Sequence, residues 1–180
     1  QTNAHEMERM IEFARSKKLA FNVDPQITAR YDGTRSSADL RVDREMLSWI
    51  YRGPLREIID LRESSYPQPP QCSCARSTCG ISALGEVYPC IGAPVASGNL
   101  RDESFAEIWA GSAVLNRIRG LKLDDFLQCK PCPFRPNCHR SSGVSYSNTG
   151  DYTGPEEWTC MEAGVLREIC DEKKREMAAR

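Results

Sequence analysis

Nine cysteines, all between positions 72 and 170, constrain this 180-residue chain more than any other feature. The odd count argues against a closed set of disulfides. The opening QTNAHEMERM has no charged start followed by an apolar stretch, so it gives no secretion signal. In a reducing compartment, clustered cysteines more often bind metal than each other. The expected localisation is therefore cytoplasmic.

Composition excludes several classes. Twenty-four basic and 25 acidic residues leave a net charge of −1, which gives no global field for nucleic acid. The apolar runs are too short to cross a membrane. A hydrophobic content of 40% suits a globular core. The expected partners include neither nucleic acid nor membrane.

The chain divides at Tyr66-Pro67-Gln68-Pro69-Pro70, where proline stiffens the backbone and blocks helix. Before it, residues 3–18 have helical spacing of Met7, Met10, Ile11 and Ala14, with Asn3 placed to cap them. Leu19 to Val23 reads as a short buried strand ended by Asp24-Pro25. Residues 26–44 are turn-rich, and 43–63 read as one or two helices interrupted at Gly53-Pro54. A helix followed by an apolar strand is half of a β/α unit. Together with the missing initial Met, it suggests a piece cut from something longer.

After the boundary, Ile81 to Tyr88 reads as a hairpin turning at Leu84-Gly85. Ser104 and Glu107 fit a capping box for a helix through Phe105, Ile108 and Trp109, continued by Val114, Leu115, Ile118 and Leu121. Residues 129–160 lack periodicity, and a stretch that long needs an outside constraint such as a metal. Residues 161–177 return to helix. The expected class is α+β: a small β-hairpin plus helices, with loop-rich cysteine-ligated sites.

The cysteines form two groups. Cys129-Lys-Pro-Cys132 places two thiolates a short turn apart; Cys138 follows, and Cys160 can close the set. Pro131, Pro133 and Pro136 lower the entropy lost in holding these ligands. Cys72, Cys74, Cys79 and Cys90 make the other group, with Cys90 projected by the hairpin. Cys72 and Cys74 would crowd one face of an extended segment and diverge in a turn. Four thiolates suit either tetrahedral Zn²⁺ or a [4Fe–4S] cube, and spacing does not separate a redox site from a zinc-held interaction module. Cys170 reads as a buried apolar helix residue, and His139 as a less favoured substitute ligand. His5 and the Lys173 to Arg175 run read as solvated, and Trp109 and Trp158 as core.

In this order the features resemble a SPASM domain at the end of a radical S-adenosylmethionine enzyme. The resemblance rests on Gly85 and Cys90, Gly98-Asn99-Leu100, Glu107-Ile108-Trp109, then Cys129, Cys132, Cys138 and Cys160. It covers roughly residues 70–165. Residues 1–66 more weakly resemble the end of the barrel that precedes such domains, through Asn-Ala-His-Glu, Phe-Asn-Val-Asp-Pro and Asp32-Gly33. The resemblance implies a partition into an incomplete β/α-barrel remnant (1–66), a cluster domain (67–170) and a helical tail (171–180). It implies two auxiliary [4Fe–4S] clusters, one on Cys129, Cys132, Cys138 and Cys160. Ser142 stands where the pattern has a cysteine for the other cluster. The set Cys72, Cys74, Cys79 and Cys90 can replace it; an open site or ligation by Ser142 are the alternatives.

No three cysteines have the Cys-x3-Cys-x2-Cys spacing that holds the catalytic cluster. S-adenosylmethionine and a third [4Fe–4S] cluster are thus expected only in a missing N-terminal portion, and no residue here is assigned a catalytic role. Implied partners are that barrel, a peptide or protein substrate, and an electron donor or acceptor protein. Such enzymes commonly mature peptides, and some act on small cofactors such as tetrapyrroles.

Overall fold

The computed structural model describes residues 4–30, 34, 37–59 and 73–179. Asn3, Asp32-Gly33, the Tyr66–Pro70 boundary and Cys72 lie outside them. Six helices and one two-stranded antiparallel sheet make up the described structure, an α+β arrangement.

Helix α1 (Met7–Ser16) buries Ile11 and Ala14 of the expected face and partly buries Met7, but Met10 is exposed. Helix α2 (Arg44–Arg52) starts at Asp43, whose side chain accepts the Met46 N–H, and stops at Gly53. Between them the expected strand is absent: Leu19 to Val23 is irregular, and no strand occurs among the described residues before Gly80. The reason is local. Leu19 N–H donates back to Ala14 O at the end of α1, while Leu19 and Phe21 stay exposed. A strand needs a neighbour for its backbone groups, and none stands beside this segment among the described residues. A barrel remnant here accordingly remains a proposal.

The long helix α6 (Glu157–Ala178) runs beside α2 in the same direction, since Arg44, Arg52 and Arg56 meet Glu168, Glu172 and Glu176 in order. These pairs are largely exposed and hold little energy in water. The packing beneath them supplies the stability: Leu47, Ile50, Tyr51, Trp158, Val165, Leu166 and Ile169 form one buried cluster. Trp158 also donates its indole N–H to Val42 O, 3.0 Å away.

A second cluster lies under the hairpin. Strand β1 (Gly80–Ile81) pairs with β2 (Val87–Tyr88) in the register Gly80 with Tyr88 and Ile81 with Val87. Gly85 turns the chain with φ +87°, a region that suits glycine. Val87 also exchanges backbone hydrogen bonds with Ser97 and Gly98, so the Gly98-Asn99 turn lies against the hairpin. Ser104 and Glu107 complete the expected capping box of α3 (Phe105–Gly111). The apolar stripe beyond it is a separate helix, α4 (Ala113–Gly120), because Ser112 adopts an extended conformation. Ile108, Leu115 and Ile118 bury against Val87, Cys74 and Ala75.

The stretch read as aperiodic contains helix α5 (Ser142–Thr149) and the first turn of α6. Ser141 caps it by accepting the Val144 N–H, and Gly150 ends it in the left-handed conformation. Leu47 is fully buried between α2 and α6. Leu47→Ala is expected to cost about 2–5 kcal/mol, read as a lower urea midpoint; a loss below about 1 kcal/mol would show that this interface does not carry the stability.

Candidate metal centre

Two turns start the second cysteine group. Cys132 N–H donates to Cys129 O, and Arg135 N–H donates to Cys132 O, which curls the Cys-Lys-Pro-Cys segment. A 3₁₀ turn over Arg135–Asn137, with Pro136 inside it, then delivers Cys138. Cys160 comes from the first turn of α6, 22 residues further on. Cys129, Cys132, Cys138 and Cys160 all line one cavity, and Phe134, Pro155 and Ala163 help to wall it. All four are free thiols.

Burial raises the Cys138 thiol to about 11, with the other three cysteines adding to the shift. Burial raises Cys129 and Cys160 as well, and Arg140 pulls Cys129 back down. Cys129, Cys138 and Cys160 are therefore protonated at neutral pH when no metal is bound. Ligation needs thiolates, so loading releases protons and is favoured as pH rises. Among the described residues no three His, Cys, Asp or Glu side chains already grip one metal ion. The second group frames a cavity rather than a point. Soft sulfur donors in an apolar wall fit an iron–sulfur cluster by donor chemistry.

The first group is built differently. Ser73 O accepts the N–H groups of Arg76, Ser77 and Thr78, which folds the Cys74–Cys79 loop into a tight turn. Ala75, with φ +57°, donates its N–H to Pro89 O at 2.8 Å, tying the loop to the residue before Cys90. Arg119 on α4 locks it from below: its Nε donates to Ala75 O at 2.6 Å, and its guanidinium lies 4.4 Å from the Trp109 ring. Cys74, Cys79 and Cys90 belong to one packed cluster as a result. Cys72 precedes them outside the described residues.

Sequence reasoning missed what holds Cys90. A β-carbon on Gly143 would lie only 2.3 Å from Cys90 Sγ, and Gly92 backbone presses on the same spot. The start of α5 thus touches the first group. Ser142, the neighbour of Gly143, is fully buried, and its Oγ accepts a 2.7 Å hydrogen bond from Arg140. The paired glycines at 92 and 143 were the available signal. Cys170 is buried apart from both groups and accepts from Asn137 Nδ2 at 3.3 Å. His139 faces a neighbouring cavity of about 390 Å³, beside Tyr51 and Glu162, and not the thiols. In that cavity wall, burial raises the Glu162 carboxyl, which accepts the Tyr51 hydroxyl.

Comparison with known proteins bears on the kind of centre. The family described as the SPASM iron–sulfur cluster-binding domain matches residues 72–138, from the first cysteine to Cys138. This stretch is similar to a SPASM domain. An AdoMet-dependent heme synthase of Methanosarcina barkeri is 30% identical over 93 residues, covering 52% of this chain and 26% of that protein. One from Nitratidesulfovibrio vulgaris is 29% identical over 86 residues, covering 47% and 23%. The chain therefore spans about a quarter of the length of these curated relatives. No solved structure matches. The resemblance to SPASM-bearing radical S-adenosylmethionine enzymes holds.

Gly143→Ala is expected to displace the Cys90 sulfur and strip metal from the first group while the Cys129 group keeps its own. Metal analysis of the anaerobically purified variant checks this; full retention would show that the contact is dispensable.

Proposed function

We propose that this chain is the auxiliary-cluster part of a radical S-adenosylmethionine enzyme, with one [4Fe–4S] cluster on Cys129, Cys132, Cys138 and Cys160 and a second on Cys72, Cys74, Cys79 and Cys90. The observation that carries the reading is the convergence of four thiols on one apolar cavity within and beside a SPASM match. Such clusters supply one-electron transfer or hold a substrate group. The chain's own residues provide the thiolates, exclude water with Phe134, Pro155 and Ala163, and fix the start of the Cys160 helix through Glu156.

The all-cysteine first set is favoured because Ser142 Oγ is already engaged by Arg140. Cleavage of S-adenosylmethionine, and the third cluster it needs, would fall to residues outside these 180, since the Cys-x3-Cys-x2-Cys spacing does not occur. That portion, an electron-donor or acceptor protein and the substrate are the proposed partners. The relatives' names point to a heme-forming reaction and lend no support to peptide maturation. A tetrapyrrole is therefore the preferred substrate class. No described helix is long and apolar enough to cross a membrane.

Iron, acid-labile sulfide and zinc content of protein purified without oxygen tests the reading. About eight iron and eight sulfide per chain are expected. About two zinc and no iron, unchanged after attempted reconstitution, would instead make the chain a zinc-held module. Within the cluster reading, Cys72→Ala is expected to halve the iron and Ser142→Ala to leave it unchanged; the reverse result would make Ser142 the ligand.

A further inference from the structure

We infer that Arg140 is a potential-setting residue for the second cysteine group: its buried positive charge and its two N–H contacts to sulfur raise the reduction potential of a cluster held there. This rests on the proposed cluster-binding function and adds an electrostatic role to a residue that ligates nothing.

Arg140 is buried and lines the same cavity as Cys129, Cys132, Cys138 and Cys160. Its guanidinium donates to the Cys129 sulfur, and its backbone N–H donates to the Cys138 sulfur. The rest of the fork is fixed. It donates to Gly154 O at 2.8 Å and to Tyr152 O, and to Ser142 Oγ at 2.7 Å, with the Phe126 ring 5.0 Å beneath it. A guanidinium so tied cannot swing out to water.

Arg135 also lines the cavity, but it is only half-buried and water screens its charge, which leaves Arg140 as the buried cation of the wall. Glu156 is neutralised by Arg41 at 2.9 Å. Asp151 is held by Thr153 N–H and hydroxyl, and lies in an exposed loop. Adding an electron to a cluster adds negative charge. A nearby cation that water does not screen, and N–H donors to the sulfurs, stabilise that reduced form. Lysine could supply the charge at this position. It lacks the planar fork that reaches sulfur, hydroxyl and carbonyls at once.

The test uses the full chain, purified anaerobically, as R140Q and R140K. Iron and sulfide are measured first. Dithionite titration followed by electron paramagnetic resonance then gives the midpoint of each cluster. R140Q is expected to keep its iron while the equilibrium constant for reducing the Cys129-group cluster falls at least tenfold, about 59 mV for a one-electron couple. R140K should fall between, and the first-group cluster should shift less, which serves as the internal control. Retained iron with both midpoints unchanged would overturn the inference.

Where R140Q fails to load, wild-type protein carrying guanidino-¹⁵N arginine decides. A ¹⁵N coupling to the reduced cluster in pulsed resonance supports the contact, and no coupling overturns it. Wild-type protein without iron would instead sink the cluster reading itself.

Discussion

Glu156 is the point on which the second cysteine group depends. Its carboxylate is almost fully buried, where an unpaired charge would be costly. It is satisfied on every side: it accepts the Thr159 N–H and hydroxyl at 2.8 Å, capping α6, and takes a 2.9 Å ion pair from Arg41. Arg41 in turn donates to Ile27 O. One carboxylate thereby fixes where α6 begins, and Cys160 stands one turn inside that beginning. The same helix packs on α2 further along. The helical layer from the first third of the chain therefore positions a thiol of the last third.

The first group depends on close approach rather than on charge. Helix α5 reaches Cys90 only because Gly92 and Gly143 lack side chains there. The helix is secured from the other side by Asn148, whose Oδ1 accepts the Ala29 N–H. Arg140 lies between the two groups, bonded to Cys129 on one side and to Ser142 on the other. The two candidate centres thus share a structural wall. A change in the loop from Cys138 to Gly143 reaches both.

Much of this was legible in the residues. The capping box at Ser104, the turn at Gly85, the stop at Gly53 and the buried role of Cys170 are short-range devices whose chemistry is complete within a few residues. The Cys-x2-Cys turn is another. The strand expected at Leu19 failed because a strand's hydrogen bonds belong to its neighbour, which sequence periodicity cannot supply. Helix α5 was missed because Ser-Gly-Val-Ser-Tyr-Ser has poor helical propensity and no apolar stripe. It is helical through its Ser141 cap and its docking against Gly92. The break at Ser112 was hidden because the apolar stripe continues across it.

The same burial that makes the thiols good cluster ligands makes them poor thiolates beforehand. Cys138 sits near 11 because desolvation penalises its charged form, and three more sulfurs around it would penalise a second charge further. A cavity that raises Cys129, Cys138 and Cys160 in this way tolerates them as neutral thiols or as metal-bound sulfur, and disfavours bare thiolates together. A cation placed in the wall eases that conflict without occupying the ligand positions. Arg140 fits this requirement where a fifth ligand would not. The guanidinium stays charged at any accessible pH, bonds sulfur from the side, and leaves the cavity's centre to the metal.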